Sequence, residues 1–178
     1  MGLRPAKTCR EVNKVAWSRF SRKKPRKSYV KAIPHNKLTV FSMGAKGDYE
    51  VQLDMVAKEP VQIRDNSLEA ARQTINKHLE KTLLTRYLLK VRVYPHNVIR
   101  ENKMISGAGA DRLSKGMRLS FGRPSDIAAR IAKGQAIYSA FVMEKDVEVV
   151  KEAYKRGKSK LPGQQAIIIK ILKEKNIA

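Results

Sequence analysis

The chain has 178 residues, enough for one domain with a real core, and its 42% hydrophobic content excludes a wholly unfolded polymer. Its net charge of +22 excludes an electrically self-sufficient surface and calls for a polyanionic partner, of which nucleic acid is the commonest. The longest apolar run, 136–143, is interrupted by Ser139 and falls far short of the roughly 20 residues a bilayer span needs. The first eleven residues hold no apolar signal region, so no membrane partner is expected. The lone Cys9 allows neither an internal disulfide nor a cysteine zinc site, which suits a reducing, cytoplasmic setting.

The charge is unevenly distributed. Residues 1–31 carry eleven Lys/Arg against one acid, 98–124 carry six against two, and 151–178 carry eight against two. The remainder has thirteen basic and eleven acidic residues. A nearly neutral body therefore bears three basic appendages.

Residues 1–31 include Pro5, Pro25 and the run Arg22-Lys23-Lys24-Pro25-Arg26-Lys27, with little periodicity. Their composition predicts no core of their own. They form an arm, 1–36, that orders on RNA, with Trp17, Phe20 and Tyr29 available to stack on bases. The folded body is expected over 37–178. Residues 37–43 and 50–57 read as strands, the second alternating Val51, Leu53, Met55 and Ala57 with Glu50, Gln52 and Asp54. The stretch 44–48 supplies the turn between them. Asn66-Ser67-Leu68-Glu69 resembles a capping box. Leu68, Ala71, Ile75, Leu79 and Leu83 then form one apolar helical stripe.

Residues 87–94 alternate Leu89, Val91 and Val93 with Lys90, Arg92 and Tyr94, a strand that ends at Pro95. Residues 128–132 and 136–143 suggest a hairpin turning at Lys133-Gly134-Gln135. A second helix is expected over 146–156, capped by Asp146, buried through Val147, Val150 and Tyr154, and stopped by Gly157. Leu161-Pro162-Gly163 is a turn, and 165–172 a final strand whose continuous Ile167, Ile168 and Ile169 predict burial on both faces. These elements make an α+β two-layer sandwich, two helices on one face of an antiparallel or mixed sheet.

Between the strands lies 98–124, which shows neither period over most of its length. It holds Gly107, Gly109, Gly116 and Gly122 together with Arg100, Lys103, Arg112, Lys115, Arg118 and Arg123. A loop this long inside a compact domain is usually functional or disordered. Glycine allows close backbone approach to a ligand, and the basic residues specify a polyanion.

Catalytic chemistry is missing. Gly107-Ala108-Gly109-Ala110-Asp111-Arg112 lacks the third glycine of a dinucleotide fingerprint and does not sit in a tight strand-to-helix turn. No phosphate-binding loop of the nucleotide-hydrolase type occurs. His35, His78 and His96 have no serine–carboxylate or thiol context, and acids are too thinly spread for metal-dependent cleavage. No enzyme activity, cofactor, metal or small-molecule substrate is expected.

Several short motifs, in order along nearly the whole chain, share one family likeness. They are Gly2-Leu3-Arg4-Pro5-Ala6, Leu68-Glu69-Ala70-Ala71-Arg72, Val91-Arg92-Val93-Tyr94-Pro95-His96 followed by Val98-Ile99-Arg100, Gly109-Ala110-Asp111-Arg112-Leu113, Gly116-Met117-Arg118, Gly134-Gln135 and Lys160-Leu161-Pro162-Gly163. As a set they resemble the universal large-subunit ribosomal protein sixteen, in its archaeal and eukaryotic "ten-e" form. The resemblance implies a protein lodged in large-subunit ribosomal RNA, near the 5S RNA, the aminoacyl (A-site) tRNA and neighbouring large-subunit proteins. It implies an arm that reaches inward through Arg4, Lys7, Arg10, Arg19, Arg22, Lys23, Lys24, Arg26 and Lys27. It also implies a loop tip at about 102–115, including Asn102, Lys103, Gly107, Gly109, Asp111, Arg112 and Lys115, directed toward the peptidyl transferase centre. Arg100, Lys103, Arg118 and Arg123 would clamp RNA at the loop's base. Some eukaryotic relatives carry further cysteines in the N-terminal part and in the loop; here Ser106 precedes Gly107 and only Cys9 occurs, so no metal or redox role is implied there.

The alternative is a non-enzymatic RNA-binding assembly factor that leaves before the ribosome matures. A DNA-binding chromatin protein fits less well, because no helix has a continuous basic face suited to a major groove. An RNA-processing enzyme fits least, for want of catalytic groups.

Overall fold

The computed structural model describes residues 33–101 and 122–172. It contains eight strands, β1 (Ser42–Gly44), β2 (Val51–Ala57), β3 (Val61–Arg64), β4 (Leu88–Val91), β5 (Asn97–Glu101), β6 (Arg123–Ile131), β7 (Ala136–Val142) and β8 (Gln165–Ile171), and two helices, α1 (Asp65–Leu83) and α2 (Val147–Lys158). The α+β class and the antiparallel pairing follow the sequence expectation. The strands, however, divide between two sheets: five in the order β1-β4-β7-β2-β8 and three in the order β3-β6-β5.

The apolar stripe of α1 forms as expected, with Leu68, Ala71, Ile75, Leu79 and Leu83 all buried. They meet Val51, Leu53 and Met55 of β2, Leu89 of β4 and Tyr138, Ala140 and Val142 of β7 in one core. Val61, Ile63, Ala129 and Ile131 bring the small sheet into the same cluster. Two tyrosine hydroxyls cross between the layers. Tyr138 on β7 donates to the Leu68 carbonyl at 2.6 Å, and Tyr154 on α2 donates to the Leu53 carbonyl at 2.9 Å. Burial pushes both phenols well above their ordinary range, so both keep the proton they donate.

Several local expectations are corrected. The first strand occupies only Ser42–Gly44 of 37–43, and it pairs with β4 instead of β2. No capping box forms at α1: Arg64 stands at the N-cap without a side-chain cap bond, the Asp65 carboxylate accepts from the Asn66 N–H, and Glu69 binds Arg72. A paired guanidinium two turns into the core outcompetes a reach back to the helix start. Strand β3 was not expected, because Val61-Gln62-Ile63-Arg64 is short and half polar. Gln62 is nevertheless buried and accepts a hydrogen bond from Asn97 at 2.7 Å.

The anticipated 128–132/136–143 hairpin does not form. Gly134 does turn the chain, with φ of +80°, but β6 pairs with β3 and β5 while β7 pairs with β2 and β4. The chain is handed from one sheet to the other. Gly157 lies inside α2 instead of ending it, and a Cβ there would come within 2.5 Å of the Ile75 side chain. Its role is close approach of α2 to α1. Finally, Ile167, Ile168 and Ile169 are 40–45% exposed, because among the described residues β8 is an edge strand paired only with β2.

On the opposite face of β2 sits Asp54, only 2% exposed. Its Oδ1 accepts from Gln52 at 2.7 Å and from the Ser139 hydroxyl at 2.6 Å, and its Oδ2 lies 3.0 Å from Lys170 Nζ. Burial alone would raise its pKa, but these donors and the ammonium outweigh burial and hold it below the ordinary carboxylate value. Arg72 does the same for Glu69. A depressed folded-state pKa stabilises above the unfolded value, near 4, and that contribution disappears as pH falls through the folded value. Urea unfolding should therefore show a midpoint that is flat from pH 7 to 5 and falls below pH 4. Asp54→Asn should cost about 1–3 kcal/mol at pH 7 and flatten the acid decline.

Candidate nucleic-acid interface

Part of the expected central loop is a stalk. β5 and β6 are antiparallel with Glu101 opposite Arg123, so residues 102–121 leave and re-enter at adjacent positions. The register shifts between Ile99 and Arg100. There the Arg100 Nη1 donates to the Gly122 carbonyl at 3.2 Å, and the Ser125 hydroxyl donates to the Ile99 carbonyl at 3.3 Å. Gly122 has φ of +40°, a conformation that favours glycine at the re-entry point. Val98, Ile99, Ile127 and Ala128 are buried beneath it. The burial of these consecutive apolar residues is what turns two ends of a basic loop into a fixed base.

The chain on the C-terminal side of the arm is anchored next to this stalk. Leu38 is buried, and its N–H donates to Asn36 Oδ1 at 3.0 Å. The Lys37 N–H donates to the buried Asp65 carboxylate at 3.0 Å. The Lys37 ammonium lies 3.4 Å from Asp126 on β6, whose other oxygen lies 3.8 Å from Arg64. One carboxylate thus joins the segment that leads out of the arm to the strand that leads out of the loop. Sequence reasoning missed Asp126, since 89 positions separate it from Lys37.

A third surface feature is a strip of alternate residues, Arg92, Tyr94 and His96, exposed where Val91, Val93, Pro95 and Asn97 are buried. Tyr94 is 61% exposed and stacks on Phe41 with centroids 5.8 Å apart. Its neighbour His96 donates its backbone N–H to Ala128 on β6. The signal was present in the alternation of 87–94, but as the polar side of a strand. An exposed aromatic beside an arginine offers a stacking plane and a phosphate contact to single-stranded bases.

Of the expected interface residues, Arg100 and Arg123 fall on the stalk, Arg123 exposed and Arg100 partly buried. Arg4, Lys7, Arg10, Arg19, Arg22, Lys23, Lys24, Arg26 and Lys27 lie outside the described residues, as do Asn102, Lys103, Gly107, Gly109, Asp111, Arg112, Lys115 and Arg118. Among the described residues, no group of three His, Cys, Asp or Glu side chains could hold a metal. Several acids there are held in ion pairs, Asp54 with Lys170, Glu69 with Arg72, Glu148 with Lys151 and Glu152 with Arg156, and Glu152 also lies 3.6 Å from His78. No described helix is long and apolar enough to cross a membrane.

The described residues thus form an α+β body in which one carboxylate, Asp126, joins the segment at Lys37 to the strand that follows the loop. Comparison with known proteins shows its family. The family model for ribosomal protein L16p/L10e matches residues 18–168. A large ribosomal subunit protein uL16 of Methanococcus aeolicus is 45% identical over 171 residues, 95% of each chain. The uL16 proteins of Archaeoglobus fulgidus and Staphylothermus marinus are 43% and 44% identical, covering 86% and 97% of this chain and 89% and 97% of their own. The chain belongs to the ribosomal protein L16p/L10e family, and it is a structural, non-enzymatic component of that kind.

The anchoring of 33–38 predicts a proteolytic phenotype. Asp65→Ala removes the acceptor for the Lys37 N–H, so limited trypsin digestion should cut after Lys37 several-fold faster while the rates at the other sites are unchanged. An unchanged rate at Lys37 would show that Asp126 alone holds the segment.

Proposed function

We propose that this protein is a constituent of the large ribosomal subunit that binds ribosomal RNA through two basic projections, the arm 1–36 and the loop carried by the β5–β6 stalk. The arm, with eleven Lys/Arg in 1–31, engages phosphate and releases counterions. Such contacts position the protein without reading bases. The loop extends toward the A-site tRNA near the peptidyl transferase centre, with the 5S RNA region close by. Shape, 2′-hydroxyls and unstacked bases supply recognition of folded RNA, and Tyr94 with Arg92 adds to this at the body's surface. The observation that carries the reading is the Lys37–Asp126 pair, which joins the segment following the arm to the strand that follows the loop. The names of the relatives support the setting.

Binding of the full chain to large-subunit RNA, titrated against salt, tests the arm. If half of its eleven basic residues touch phosphate, removal of 1–31 should lower the log–log salt slope by about 4 while thermal unfolding stays cooperative. A truncated chain with the full slope would leave the arm inert.

Deletion of 102–115 tests the loop separately. Subunits should still incorporate the protein, and A-site tRNA use should fall. Normal translation by such particles would refute the loop's role. Sedimentation that finds the chain only in precursor particles would favour the assembly factor instead.

A further inference from the structure

β8 pairs with β2 along one edge and, among the described residues, with no strand along the other. In an antiparallel ladder, main-chain groups of successive residues point alternately to the two edges. The Leu172 N–H donates to the Glu50 carbonyl and the Lys58 N–H to the Gln164 carbonyl. Even-numbered residues therefore face β2, and Ile167, Ile169 and Ile171 direct their N–H and C=O groups outward. The same three lie opposite Met55, Leu53 and Val51. Their side chains thus stand on the helix-bearing side of the sheet, 40%, 45% and 74% exposed. Edge strands are commonly blunted by proline, bulges or charge. The only charge on β8 is Lys170, which turns to the opposite face and pairs with Asp54.

Beside this edge, α2 and β8 enclose a cleft of about 260 Å³. Met55, Tyr154 and Ile167 give it apolar walls, and Lys151, Lys155 and Lys158 line it from α2. Among the described residues, no carboxylate lies within ion-pair distance of Lys155 or Lys158. Gln165 also lines the cleft and is 4% exposed; its Nε2 donates to the Pro162 and Gly163 carbonyls, while its Oε1 has no hydrogen-bond partner.

We propose that the β8 edge and the α2–β8 cleft dock an extended, acidic and aliphatic segment of a neighbouring protein, which adds to the large sheet as a sixth strand. Strand addition satisfies the outward main-chain groups, and side-chain pockets select the sequence. Aliphatic side chains cover Ile167, Ile169 and Ile171, carboxylates meet Lys155 and Lys158, and a donor reaches Gln165. Nucleic acid suits this surface poorly, because β8 offers no aromatic or guanidinium plane for a base. A second copy suits it poorly too, since each chain brings +22 and the same lysines. The proposal is independent of how the arm and the loop meet RNA.

The test uses the tagged full-length chain, free and incorporated into archaeal large subunits in place of the host's own copy. Recovery in subunits is scored first, so loss of incorporation and loss of docking are read separately. Hydrogen exchange resolved by residue should slow at least about tenfold at 167, 169 and 171 in the subunit, while 166, 168 and 170 are protected in both states. A photo-crosslinker at position 171 should join one protein, through a segment that alternates aliphatic and acidic side chains. Ile169→Pro removes an outward N–H and spares the β2 ladder, so it should cut that crosslink at least about fivefold. Unchanged exchange at the three amides, or a crosslink to RNA or to a second copy of this chain, overturns the proposal. So does a crosslink to a protein segment without acidic and aliphatic alternation.

Discussion

The structure depends on how the helix layer is fastened to β2 and β7. Apolar burial draws α1 onto the sheet but is indifferent to small slides along it. The Tyr138 and Tyr154 hydroxyls remove that indifference, one reaching from sheet to helix and the other from helix to sheet. Each is fully buried, and each would leave an unsatisfied polar group if the layers shifted. With β2 and β7 held in this way, the bare glycine face of α2 can settle on Ile75, and β8 is left at the rim.

Much of this was legible beforehand. The α1 stripe and the alternation of β2 were visible because burial there has one face and one period. The capping box failed locally, through Arg72, three residues beyond Glu69, but most errors involved a residue whose environment comes from distant chain. Gln62 belongs to a strand, β3, and its buried amide depends on a donor from Asn97, 35 positions away. The isoleucines of β8 looked like the centre of a sheet, since an apolar run reads the same whether a partner strand belongs to the fold or not. Gly157 looked like a helix stop because its real neighbour, Ile75, lies on the other helix.

The basic clusters proposed to meet RNA were legible through charge. Basic clusters in 1–31 and 98–124 stand out against a balanced body, and no tertiary knowledge is needed to see them. Their common root was not visible, because Lys37 and Asp126 are brought together only by the small sheet. Asp54, Glu69, Asp126 and Glu152 neutralise cations at their own positions. The described residues still carry 21 basic against 13 acidic side chains, and part of that excess lies on α2 and β8, so 151–171 belongs to the fold and is not the appendage its charge suggested.

The β5–β6 ladder has one more consequence. Twenty residues separate Glu101 from Gly122, and a free chain of that length loses about 2–3 kcal/mol of entropy when its ends are brought together. Here the ends are already neighbours in the unbound protein. That loss is met when the β5–β6 ladder folds, because the register fixes Glu101 opposite Arg123.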